Sequence, residues 1–171
     1  MGMIDPMLAE FAQEMATTRK MLEILPEKHL GWKPHPKSLS LGRLASHIAE
    51  MPAFASKALS TEVFDIDPAS GKPLSYKPLD LKTVKEILEA FDKNVADASA
   101  AMKTAKDDQL LKTWTLQAHG KTVFTMPRIA VLRVMVFSHV FHHRGQLSVY
   151  LRLKDVPLPS VYGPTADSKG M

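Results

Sequence analysis

Two histidines, His139 and His143, stand four positions apart in a strongly apolar stretch near the end of the chain. On a helix this spacing puts the two imidazoles about 40° apart around the axis and one turn along it, so both can reach a common point. A third histidine, His47, falls in the apolar stripe of an upstream helical pattern, LASHIAE. Taken alone, a histidine in such a stripe is most often a packing residue of intermediate burial. Three together are different, because burying them near one another leaves several ring nitrogens without partners in an apolar setting. Zinc, nickel or iron would satisfy those nitrogens directly, and zinc or nickel is the expected cofactor. Three protein ligands leave one coordination position open for chemistry.

The remaining histidines read differently. His142 adjoins the pair but points about 100° away from His143 around the helix, so it is expected at the edge of the bundle or in a subunit contact. His29 and His35 precede the second helix and His119 lies in a Gly-containing turn, where solvated side chains are expected. Glu50, one turn beyond His47, is the candidate catalytic residue, as general base or as a support for the metal ligands, against the alternative of an exposed helix glutamate. The sequence has no cysteine, which excludes thiolate ligands, disulfides and cysteine nucleophiles.

Positioning these residues requires helices. Asp5 and Pro6 read as cap and first helical residue, followed by an apolar stripe from Leu8 to Leu25 and a stop at Pro26. Ser40 caps a second helix with Leu44, His47, Ile48, Met51, Ala55 and Leu59 on one face, and Pro52 within it predicts a kink beside His47. Residues from Ser60 to Leu79 contain several prolines and a glycine without periodicity, which predicts a long loop, a lid near the open metal position. Asp80 is the expected cap of a third helix with the stripe Val84, Leu88, Phe91, Val95, Ala98 and Met102. WTLQAHGKTVFT predicts a short hairpin. From Pro127 a last helix runs to about Leu153, apolar on more sides than one core face needs, which predicts burial against a second subunit as a homodimer. The tail VPLPSVYGPTADSKGM is expected to be irregular.

Helices of this length with longer crossings between them predict an all-α four-helix bundle, a single domain over 1–171. With 45% apolar and 23% charged residues the composition is ordinary for a globular chain. A net charge of +4 arises from dispersed lysines and arginines without interleaved aromatics, so no nucleic-acid partner is expected. No secretory or membrane-spanning pattern is legible, and the expected location is cytoplasmic.

SHVFHHRGQL from Ser138 to Leu147 and LASHIAE around His47 resemble the DinB/YfiT-like superfamily of bacterial proteins. WKPHPKSLS from Trp32, TMPRI from Thr125 and PSVYGPTAD from Pro159 extend the likeness over nearly the whole chain. The resemblance implies a bundle with down-up-up-down connectivity, commonly dimeric, and a three-histidine metal site that maps onto His47, His139 and His143. It also implies transferases or isomerases that use a low-molecular-weight thiol such as bacillithiol or mycothiol. An isomerase is the less expected of the two, since no long C-terminal domain of the kind larger isomerases carry is present. Three readings compete: a transferase that activates a thiol at the metal, a hydrolase that activates water there, and a non-catalytic metal or small-ligand binder.

Overall fold

The computed structural model describes residues 2–68 and 76–168. Its elements in chain order are helices α1 (Ile4–Glu23), α2 (Leu41–Glu50) and α3 (Ala53–Ser60), strand β1 (Val63–Asp65), helices α4 (Val84–Thr104) and α5 (Asp107–Leu111), strands β2 (Thr113–Ala118) and β3 (Lys121–Pro127), and helices α6 (Arg128–Val131) and α7 (His139–Arg152). The chain between α6 and α7, Leu132–Ser138, is π-helical, so 128–152 is one continuous helical rod. The protein is mostly helical, with a three-stranded sheet ordered β1-β2-β3. That sheet corrects the all-α expectation. No helix among the described residues is long and apolar enough to cross a membrane.

Local chemistry explains the helix boundaries. The first helix begins at Ile4, ahead of the expected cap. The Asp5 carboxylate accepts from the Gly2 N–H, and Asp107 reaches across from α5 to accept from the Met3 N–H. Ser40 caps α2 by accepting from the Arg43 N–H. Gly42 then passes so close to Leu30 that a Cβ would lie 3.1 Å from the Leu30 carbonyl oxygen, which explains a glycine there. Pro52 does more than kink the second helix. It cannot donate to the ladder, and the helix divides into α2 and α3 on either side of Met51 and Pro52. Asp80 is not the cap of α4. Thr83 takes that place in a reciprocal box with Glu86, an arrangement worth about 1 kcal/mol. The inward face of α4 is accordingly turned from the expected stripe: Ile87, Phe91, Ala98 and Met102 are buried, while Val84, Leu88 and Val95 are half-buried.

The core lies between α1, α2, α3, α4 and the 128–152 rod, with α4 packed on the first three. Phe11 of α1 meets Phe137 edge to face, and both are fully buried. The expected hairpin is present. His119 and Gly120, with φ of 53° and 70°, form its two-residue turn between the paired Ala118 and Lys121. β1 interrupts the predicted loop and pairs in parallel with β2. Residues 69–75 of that loop lie outside the described residues. The rod's apolar excess is covered mainly from within the chain. Val131, Leu132, Val136, Phe137 and Val140 are all buried, whereas Val134 and Val149 are exposed.

Candidate metal centre

Helix α2 carries Arg43, His47 and Glu50 on one face, and α7 carries His139, His143 and Gln146 on the face that packs against it. The π-helical turn ends at Ser138, immediately before His139. Its wider winding shifts the phase of the rod, so Phe137 and Val140 enter the core while His139 and His143 remain directed at α2.

The structure brings the three predicted histidines together. One nitrogen from each of His47, His139 and His143 lies within 4.8 Å of the others. The ring centroids are 5.2 Å apart for His47 and His139, 4.6 Å for His47 and His143, and 4.7 Å for His139 and His143. All three side chains are half-buried.

Hydrogen bonds orient two of the rings. His47 Nδ1 donates to Glu50 Oε1 at 2.6 Å, since an ionised carboxylate only accepts. The neutral tautomer that makes this bond carries its lone pair on Nε2. His143 Nδ1 donates to Gln146 Oε1 at 2.8 Å, and the Gln146 amide donates in turn to His142 Nε2 at 3.0 Å. Nε2 of His47 lies 3.4 Å from Nε2 of His139. In a tetrahedral site with metal–nitrogen bonds of ~2.0–2.1 Å, two ligand nitrogens are about 3.3–3.4 Å apart. The arrangement is therefore compatible with binding one metal ion, and the donors are of the type zinc and nickel accept.

Electrostatics favour the same state. Burial, with help from His143 and His47, lowers the pKa of His139 to about 4. Burial also lowers that of His143, against the opposing Gln146 bond. Both shifts favour the neutral ring, the form that metal ligation requires. Burial alone would raise the pKa of Glu50. The hydrogen bonds from His47, the Leu79 N–H and Tyr76, with the Arg43 charge, outweigh it and keep the carboxyl below its ordinary value.

Glu50 is therefore not the exposed glutamate of the alternative reading. It is 4% exposed, and its Oε2 accepts the Leu79 N–H at 2.7 Å. This contact ties the described end of the predicted lid, Tyr76 to Leu79, to the histidine cluster. Tyr76, Phe54, Phe64, Leu79, Asn94 and Glu50 also border a cavity of about 220 Å³ that none of the three histidines lines. His142 is exposed, as expected of a ring turned away from the cluster, with its ring centroid 4.9 Å from that of His143. His35 and His119 are exposed and His29 is half-buried, and none of them joins the triad.

A family model described as the DinB family matches residues 2–169. The chain belongs to the DinB family. It is 24% identical over 164 residues to the "Uncharacterized protein YrdA" of Bacillus subtilis (strain 168), covering 96% of this chain and 90% of that protein. Two crystal structures share the fold. A DinB-like protein from Bacillus cereus ATCC 10987 matches with a TM-score of 0.66 and 24% identity, over 91% of this chain and 95% of its own. The DinB-like protein YjoA from Bacillus subtilis matches with a TM-score of 0.68 and 18% identity, over 91% and 96%.

Arg43, Gln146 and Tyr76 were not singled out by sequence reasoning. Arg43 and Gln146 carried a legible signal, lying one turn from His47 and close to one turn from His143 on the same faces. Tyr76 carried none.

Proposed function

We propose that this single DinB-like domain, a four-helix bundle if 41–60 and 128–152 are each counted as one rod, is a metal-dependent enzyme. Its site is held by His47, His139 and His143, and its reaction is transfer of a low-molecular-weight thiol to an electrophilic small molecule. The observation that carries the reading is the convergence of three imidazole nitrogens within 4.8 Å, with His47 and His143 each fixed through Nδ1. When bound, a zinc or nickel ion supplies a Lewis-acidic position that lowers the pKa of a coordinated thiol.

The chain's own residues do the rest. Glu50 sets the tautomer and angle of His47, and Gln146 does the same for His143. In the transfer, the thiol proton is lost to solvent, a carbon–sulfur bond forms at the electrophilic carbon, and the leaving group departs with its electron pair. Conjugation of thiols to 1-chloro-2,4-dinitrobenzene, compared before and after chelator treatment and metal restoration, tests this reading. Metal-dependent turnover supports it, and no turnover across a panel of thiols counts against it.

Glu50 serves here as a positioning residue. Both its oxygens accept from protein donors, which weakens the hydrolase alternative in which it would take a proton from water. Glu50→Gln is expected to lower metal affinity about 10- to 100-fold, the range for partners of metal-bound histidines, with helix content unchanged. A competition titration against a chromogenic chelator reads this directly, and parent-like affinity would remove the assigned role.

A homodimer belongs to the same reading. The exposed apolar residues Val134, Val149 and Leu153 on or just beyond the rod are its expected contacts. Sedimentation equilibrium at micromolar concentration should give twice the chain mass. A monomer there contradicts it.

A further inference from the structure

Arg43 lies one turn before His47 and two turns before Glu50 on α2, and its side chain is 22% exposed. Both of its terminal nitrogens are 3.3 Å from a single oxygen, Glu50 Oε1. That oxygen already takes the much shorter 2.6 Å bond from His47. A guanidinium offers five N–H donors in a planar fork shaped for two oxygens at about 2.7–2.9 Å. Here it holds one shared oxygen at the long end of the range, with the Tyr76 hydroxyl as a further neighbour. Its charge is felt at His143 on the opposite helix and at Asp80. Arg43 thus stands at the rim of the histidine cluster with donors to spare.

Charge bookkeeping points the same way. Three imidazoles, neutral as ligands of a metal must be, with one carboxylate and one guanidinium bring no net charge to a half-buried site. A divalent ion would leave it doubly positive. A ligand with one anionic donor at the ion and one carboxylate at Arg43 restores neutrality, whereas a phosphate dianion in place of the carboxylate would overshoot it.

We propose that Arg43 is a specificity-determining residue that receives a carboxylate on the molecule bound at the open metal position. The inference rests on the metal site described under the proposed function. In it, the guanidinium turns part of its fork from Glu50 Oε1 to the incoming carboxylate, while the shorter His47–Glu50 bond stays in place. A neutral ligand would leave that fork as it is, so discrimination between acid and amide is the direct consequence.

The test uses the full chain loaded with cobalt(II), whose visible spectrum reports ligands at the ion. Dissociation constants are measured for 3-mercaptopropionate and for its neutral amide, in the parent and in R43M. The quantity read is the parent's acid-over-amide preference divided by that of R43M, which cancels intrinsic differences between the two thiols. A charge-assisted pair predicts a ratio of about 10 or more, with R43K retaining part of it. A ratio near one overturns the proposal. Should R43M fail to fold, R43Q supplies the denominator.

A parallel titration with succinate and succinamate separates this inference from the thiol reading. A ratio of about 10 for that pair, with no sulfur-to-cobalt band from either thiol, removes the thiol reading and leaves Arg43 in its role. Ratios near one in both pairs remove the role of Arg43, whatever the thiols do. Failure of the parent to take up cobalt removes the metal site and this inference with it.

Discussion

Arg144→Ala is expected to destabilise the fold by about 3–5 kcal/mol, the effect of leaving one partner of a buried ion pair without the other. Arg144 of α7 is 3% exposed, and its guanidinium meets the Glu14 carboxylate at 2.7 Å, the Glu14 carbonyl at 3.1 Å and the Thr18 hydroxyl at 3.0 Å. The tail closes over this group. The Tyr162 hydroxyl bonds both Arg144 and Glu14, and the guanidinium lies over the Phe141 and Tyr162 rings. Alanine would leave the Glu14 carboxylate, 8% exposed, without its cation in the core between α1 and α7. The double change Glu14→Met with Arg144→Met removes both charges while keeping volume, and should cost much less than either alanine variant. Urea unfolding followed by circular dichroism measures all of these. A loss below about 1 kcal/mol in Arg144→Ala would show the pair to be solvated in solution.

Arg144 also shows where sequence reading stops. It stands inside the HHRGQ run, next to a histidine that spacing places correctly, yet a charged residue on a helix is ordinarily solvated. Its burial depends on a glutamate 130 positions away and a tyrosine in the tail. Glu50 followed the same pattern. One turn beyond His47 it was visible as a candidate, but its burial needed donors from Arg43, Tyr76 and Leu79, and the last two lie across an aperiodic stretch.

Elements with local chemistry were legible: the Ser40 cap, the interruption at Pro52, and the hairpin turn with left-handed backbone at His119 and Gly120. β1 was not, because three residues are too few for a period and its pairing with β2 is long-range. Apolar spacing suggested a helix through Leu132–Ser138, but that spacing does not encode the wider π-type winding. Much of the apolar surface on the last helix is buried within the chain, Phe137 against Phe11 of α1 among it, while Val134 and Val149 stay exposed. The Asp80 cap yielded to Thr83, three residues on, where T-x-x-E forms the complete reciprocal box.

His47→Ala, His139→Ala and His143→Ala are each expected to lower metal affinity about 100-fold or more. Loss of a carboxylate that merely supports a metal-bound histidine costs 10- to 100-fold, so removing a ligand itself should cost at least as much. All three variants should stay folded. The triad is half-buried at the edge of a core that contains Phe11, Phe91, Trp114 and Phe137, each at most 1% exposed, and that core does not depend on the imidazoles.

His142→Ala supplies the contrast on the same helix. Its ring meets the cluster through the Gln146 amide and edge-on at His143 but contributes no nitrogen to the triad, so its removal should leave the Gln146 bond to His143 and the metal content nearly intact. The decisive measurement is metal content and affinity by elemental analysis and chelator competition, on untagged protein, for the parent, His139→Ala and His142→Ala. The triad predicts close to one ion per chain in the parent and in His142→Ala, and little in His139→Ala. Unchanged metal in His139→Ala, or an equal loss in His142→Ala, would contradict the metal site and the activity proposed on it.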